Sequence, residues 1–331
     1  MIISAFFYTL AFCLVSLALC GLGYLIIFIF QSEQMADSFF LSWVFYFNGI
    51  LVGGTGYGLM WYIIKDGKNL LALLNNVIDL SNQRNYNVVV YSRKANSWLW
   101  RNIVGIPITI LGGIILLKSG YPHEGLAKYY LAICSISIYY VASYIFVFFI
   151  FVLFMFKSLE ENLSENLTLK SASPIAFDTL NNFFTVTSTI GIVAIYFGFR
   201  GTLTANLEIF EAGETLRRIF IIPVILFLPV TLFYSFYPRY VIKKIYDIEI
   251  INKIKKLEQI KSDSIKESEV TIDQLNIEKT LTEIKEKLLA ERKQMPIINL
   301  KDSPSLALVF LMLLQLIVQY DKVVNDFFKI F

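Results

Sequence analysis

Residues 129–156 read YYLAICSISIYYVASYIFVFFIFVLFMF, without a charged side chain between Lys128 and Lys157. As an α-helix this stretch would be about 42 Å long at 1.5 Å per residue, against ~30 Å of hydrocarbon in a bilayer. A helix at a water-facing surface carries one apolar stripe, whereas this one is apolar on nearly every side. Lipid is the solvent that such a helix fits.

The pattern repeats in both directions. Ile2–Phe30 and residues 39–64 carry no charge. Residues 179–199 are charge-free between Asp178 and Arg200, and 219–237 between Arg218 and Arg239. The shortest stretch, 99–117, has Arg101 and Asn102 near its start, with Trp98 and Trp100 where aromatic rings sit at headgroup level. The sequence therefore predicts an all-α, polytopic membrane helix bundle of six spans, a seventh being open at the C-terminal apolar run. The hydrophobic fraction of 56% and mean hydropathy of +0.61 agree with it. The first run is too long for a signal-peptide core and lacks a basic leader segment, so an uncleaved span is expected.

Orientation follows from basic residues in the connections, because basic loops stay cytoplasmic. One side carries six in 65–101 (Lys65, Lys68, Arg84, Arg93, Lys94, Arg101), two in 157–178 (Lys157, Lys170) and 14 in 239–303. The other side carries five: Lys118, Lys128, Arg200, Arg217 and Arg218. Twenty-two against five places both ends of the six-span core in the cytoplasm, the N-terminus included. The patterns Asn162, Leu163, Ser164 and Asn166, Leu167, Thr168 match a glycosylation acceptor. On a cytoplasmic loop they are ordinary residues.

Charge dominates from 239 onward, which divides the chain into a transmembrane domain, 1–238, and an appendix, 239–331. Ile250, Ile254, Leu257 and then Ile277, Leu281, Ile284, Leu288 recur at helical spacing, interrupted around Ser262, Asp263, Ser264, Ser268 and Glu269. Two helices folded as an antiparallel cytoplasmic hairpin are expected, with 240–295 as the place where a cytoplasmic protein partner would dock. The plain reading is a solvated hairpin packed on itself or on the 65–101 loop, and the sharper one is a docking arm or an oligomerisation coil, although the heptads do not run for the three or four repeats of a coiled coil. An apolar run from Leu306 to Val318 follows Ser303, Pro304 and Ser305. It is short for a crossing, so a helix on the membrane surface or against the hairpin is expected.

Gly54, Thr55, Gly56, Tyr57 and Gly58 resemble the potassium-channel filter TVGYG at Gly56, Tyr57 and Gly58. A filter interrupts its helix, whereas here one apolar run continues from 39 to 64. The same glycines form the pairs Gly49/Gly53 and Gly54/Gly58, whose small-xxx-small spacing lets helices approach closely. Asn181, Thr185 and Ser188 share one helical face in the fifth span, and Asn48 adds an amide in the second. These residues, with Gly56, are the candidates for lining a pore or packing helices. Pro223 and Pro229 in the sixth span suggest a mechanical link to the appendix.

No Asp, Glu, Lys or His lies well inside a span, which argues against proton relays and ion-coupled transport. With one histidine, His123, and with Cys13, Cys20 and Cys134 in apolar runs, neither a hydrolytic triad nor a zinc site is expected. Glu160, Glu161 and Glu165 form a charge run of the solvated kind. The chain is not expected to be an enzyme or to use a cofactor, and nothing in it points to nucleic acid.

The tail is similar to a set of uncharacterised bacterial membrane proteins. The likeness lies in a proline-bearing span, Phe236, Tyr237, Pro238, Arg239, a charged helix pair, then Pro296 and Ser303, Pro304 before an apolar end. The resemblance implies a bacterial inner membrane and no particular activity. Two functions fit the residues. One is a channel or pore subunit, a homo-oligomer in the lipid bilayer, lined by the polar faces of spans four and five. The other is a sensor or scaffold that recruits a partner and moves no solute.

Overall fold

The computed structural model describes residues 2–36, 43–78, 86–118, 125–162, 174–204, 213–265, 272–293 and 306–312. Loop residues Pro122, His123, Glu165, Asn166 and Thr168 lie outside these ranges, as do Pro296, Ser303–Ser305 and the apolar run beyond 312.

The described residues are almost wholly helical. The helices are α1 (Ile2–Phe30), α2 (Trp43–Asp66), α3 (Leu70–Val77), α4 (Tyr86–Asn96), α5 (Trp98–Lys118) and α6 (Gly125–Asn162). They continue with α7 (Pro174–Thr204), α8 (Gly213–Ile265) and α9 (Ile272–Lys293). Among the described residues three stretches are long and apolar enough to cross a bilayer: Ala5–Phe30, Ala132–Asn162 and Phe177–Gly198. Trp98–Ile114 forms a shorter apolar helix. Where elements begin, local chemistry explains it. Pro174, whose fixed φ suits a first helical turn, opens α7. Ser97 separates α4 from α5 and caps α5 by accepting the Trp100 amide at 3.5 Å.

α1 lies along α2, α2 along α7, α7 along α8 and α8 along α6, while α6 also carries α4 and α5. Because hydrocarbon gives apolar helices no reason to flee it, they associate through close packing and interhelical bonds. Phe148, Phe149, Phe156, Phe177, Phe183, Phe184, Tyr62 and Tyr234 form the buried centre. Phe149 stacks on Tyr234 with ring centroids 3.9 Å apart, and Tyr62 stacks on Phe183. On the outside, α1 shows Phe6, Leu14, Leu22 and Ile29, and α5 shows Ile103, Ile106, Ile110 and Leu111. Large apolar side chains, rings and branched aliphatics alike, thus lie on the outside as well as in the centre, which a lipid solvent permits.

Three features differ from the sequence expectation. The stretch 65–101, taken as a polar loop, contains α3 and α4, and Leu70, Leu74, Ile78, Val88 and Ala95 join the main core. The division at 238/239 falls inside α8, a single helix of 53 residues. Val241, Ile242, Ile245, Tyr246 and Ile250 belong to the same core as Phe148, so the bundle's packing continues past the change in composition. The run beginning at 306 also sits elsewhere than expected. Val309 and Met312 are buried against Ile192, with Ile195, Tyr196, Leu228 and Leu232 around them. These are residues of α7 and α8, rather than of the hairpin or a surface. α9 contacts α8, with Lys285 Nζ 2.7 Å from Glu258 Oε1.

Candidate functional site

The polar residues of α7 meet α8 along one seam. Thr185, Thr187 and Ser188 are 9%, 0% and 1% exposed. Each hydroxyl first bonds within its own helix: Thr185 Oγ1 donates to the Asn181 carbonyl at 2.9 Å, Thr187 Oγ1 to Phe183 at 2.8 Å and Ser188 Oγ to Phe184 at 2.6 Å. This back-bonding removes the cost of a hydroxyl in hydrocarbon. Two of the three then reach across. Thr187 Oγ1 and the Tyr234 hydroxyl are 2.9 Å apart, and Ser235 Oγ donates to Ser188 Oγ at 3.2 Å. Tyr234 and Ser235 are neighbours on α8, so two adjacent bonds fix its rotation against α7. Below them, Gly191 lets α8 in close: a Cβ there would lie 3.2 Å from Thr231 Cγ2.

The expected candidates therefore divide. Thr185 and Ser188 belong to this seam. The Asn181 carbonyl serves Thr185, while its side-chain Oδ1 is buried without a hydrogen-bond partner. Gly56 faces α6, where an added Cβ would lie 3.2 Å from Val141 Cγ1. Asn48 falls within α2, at a position whose side chain lies outside the described set. The filter likeness is overturned, because Gly54 to Gly58 lie within the continuous helix α2, whose carbonyls bond along the helix instead of facing an ion. Gly54 and Gly58 instead press on α1. A Cβ on Gly54 would stand 2.7 Å from Cys13 Cα, and one on Gly58 2.7 Å from Thr9 Cα.

A second cluster went unread in the sequence. Glu160, at the end of α6, accepts from the Tyr237 hydroxyl at 2.7 Å and from Lys244 Nζ at 2.8 Å. One carboxylate thus ties α6 to two places on α8, seven residues apart and so on one helical face. The bond to Glu160 holds the Lys244 ammonium above its ordinary value. The only sequence signal was that Tyr237/Lys244 spacing beside a span end.

Arg101, counted among the loop bases, is 3% exposed. Its guanidinium lies over the Tyr144 ring at 4.3 Å and donates to the carbonyls of Asn96, at 2.9 Å, and Ser97, at 3.4 Å. Beside it the Tyr140 hydroxyl donates to Asn102 Oδ1 at 2.6 Å. This cluster locks the start of α5 onto α6.

Chemically, these groups close bonds between helices. The seam pairs neutral hydroxyls, and the Glu160 cluster pairs opposite charges. Among the described residues no group of three or more His, Cys, Asp or Glu is disposed to hold a metal ion. No protein-family model, curated protein or solved structure matches the chain.

Proposed function

We propose that the protein is a membrane-anchored sensor or scaffold of the bacterial inner membrane, in which α8 connects the bilayer bundle to a cytoplasmic docking hairpin. Six spans, α1, α2, α5, α6, α7 and the first half of α8, form the anchor. Both ends of that core lie in the cytoplasm, following the excess of basic residues in 65–101 and 239–303. The hairpin of α8 and α9 is the recruiting element, and a cytoplasmic protein binds within 240–295.

The observation that carries this proposal is the attachment of α8 along its length. Thr187 and Ser188 hold it at Tyr234 and Ser235, Glu160 holds it at Tyr237 and Lys244, and Lys285 of α9 meets it at Glu258. A single helix bonded at successive depths carries a shift or rotation from one end to the other, where a jointed connection would absorb it. Thr185 and Ser188, the side chains a channel would place on its wall, are buried and bonded in the seam instead. That supports the sensor or scaffold over the channel. The outward apolar faces of α1 and α5 meet lipid chains.

A photo-crosslinking residue at Lys256 or Lys287, both on the hairpin, tests the proposal in cells. One discrete adduct to a cytoplasmic protein is expected, and Glu160→Gln should change its yield without changing membrane insertion. An adduct pattern containing only lipid or the chain itself would contradict a recruiting hairpin.

A further inference from the structure

We propose that the chain crosses the bilayer once more, through residues 303–320, so that the hairpin is a loop tethered to the membrane at both ends. Ile192 stands 14 residues after Asp178 and eight before Arg200, so it lies about 21 Å from one charged boundary of its span and about 12 Å from the other. Leu228 stands ten residues after Arg218 and 11 before Arg239, about 15 Å and 17 Å from the boundaries of its own span. Both sites are deep in hydrocarbon. Val309 and Met312 are packed in the same cluster with them, 9% and 1% exposed. A helix lying flat at the surface does not reach that depth, and the hairpin is not there to meet it.

Val309 is seven residues beyond Asp302, and Leu232 is seven residues before Arg239. Met312 is ten beyond Asp302, and Leu228 is 11 before Arg239. A run entering the bilayer from the hairpin side would therefore bring positions 309 and 312 to about the depths of Leu232 and Leu228, members of the same cluster. Between Asp302 and Asp321 the sequence SPSLALVFLMLLQLIVQY has 18 residues and no charge. As a helix it covers about 27 Å, close to the ~30 Å of a hydrocarbon core. The apolar run from 306 to 318 alone looked too short, but Ser303, Pro304, Ser305, Gln319 and Tyr320 are uncharged and suit the two interfaces. Asp321, Lys322, Asp326 and Lys329 then lie on the side opposite the hairpin.

The occupant of the α7/α8 groove is thus the chain's own next segment. The consequence for the scaffold proposed above is that its docking hairpin is held at two points rather than hanging from one.

The test uses the full chain in intact bacterial cells, with Cys13, Cys20 and Cys134 replaced by alanine and a single cysteine introduced by Asp326→Cys or by Lys255→Cys. A membrane-impermeant maleimide should label one of them to the same extent before and after permeabilisation, and the other only after it. Opposite behaviour at the two positions supports the crossing, whichever is labelled first. Labelling of Asp326→Cys first also supports the cytoplasmic hairpin, whereas labelling of Lys255→Cys first keeps the crossing and overturns that orientation. Identical behaviour at both positions overturns the crossing. If the cysteine-free chain fails to insert, alkaline phosphatase fused after residue 331 of the unaltered chain is read instead. The enzyme is active only outside the cytoplasm, so it should be active there and inactive in a second fusion that inserts it after Lys255; opposite activities in either sense support the crossing, and equal activity of the two in stably inserted protein overturns it.

Discussion

The two halves of α8 are held by opposite means. Against α7 and α6, Tyr234 is fully buried, stacked on Phe149 and bonded to Thr187. Against α9, Ile260, Ile284 and Leu289 remain 52%, 41% and 37% exposed, and the Glu258–Lys285 pair is solvated on both sides. In the first half the hydroxyls of Thr231, Tyr234, Ser235 and Tyr237 are bonded within the protein. The second half has water, and its ion pair contributes little beyond what solvent would give. The bundle end is therefore the more tightly packed one, and under the proposed function the α9 end is where a partner competes for contacts.

Substitutions sharpen this contrast, and the largest effects belong to the bundle. Phe149→Ala removes the ring stacked on Tyr234 and should cost about 3–5 kcal/mol, read as a fall in unfolding temperature in detergent. Gly54→Leu drives a side chain into Cys13 and should cost about 3 kcal/mol, whereas Gly21→Leu, with nothing within 4 Å, should leave the unfolding temperature unchanged. Equal behaviour of the two glycines would remove the close α1/α2 contact from the account. Tyr234→Phe deletes one interhelical bond while keeping the ring, so about 0.6 kcal/mol is expected.

At the hairpin the effects are smaller. Lys285→Ala should leave bundle unfolding unchanged while raising protease cleavage between α8 and α9. The Lys285 bond and charge hold the Glu258 carboxyl below its ordinary value. Its contribution is therefore present above the unfolded carboxylate pKa of about 4.3 and is lost as pH falls further through the folded value. Amide exchange in α9 should accelerate in that acid range, and Lys285→Ala should abolish the acceleration. An unaltered acid response in the variant would show that other carboxylates set it.

What was legible in the sequence depended on how local the cause was. The helix around 129–156 was plain because most of its residues prefer lipid and none is charged. The Gly54/Gly58 contact was legible as a spacing, although the partner, Thr9 to Cys13, was not. α3 and α4 were missed because short amphipathic helices look like loop when surrounded by charge. Leu70/Leu74 and Val88/Ser92/Ala95 carry the spacing, but burial only becomes evident once α6 and α7 are beside them. The continuity of α8 through Pro238 was hidden by a composition change that the backbone ignores. Glu160 could not be told from Glu161 by any local feature, since what distinguishes it is where α8 passes.

On the proposed reading, the polar face of α7 packs against α8 and lines no water-filled path. Ion flux across liposomes holding the purified full-length chain tests it most directly. Flux no greater than in empty vesicles is expected, both for the unaltered chain and for the Thr185→Leu, Ser188→Leu double variant. Flux through the unaltered chain that the double variant abolishes would contradict the claim and restore those hydroxyls to the wall of a pore.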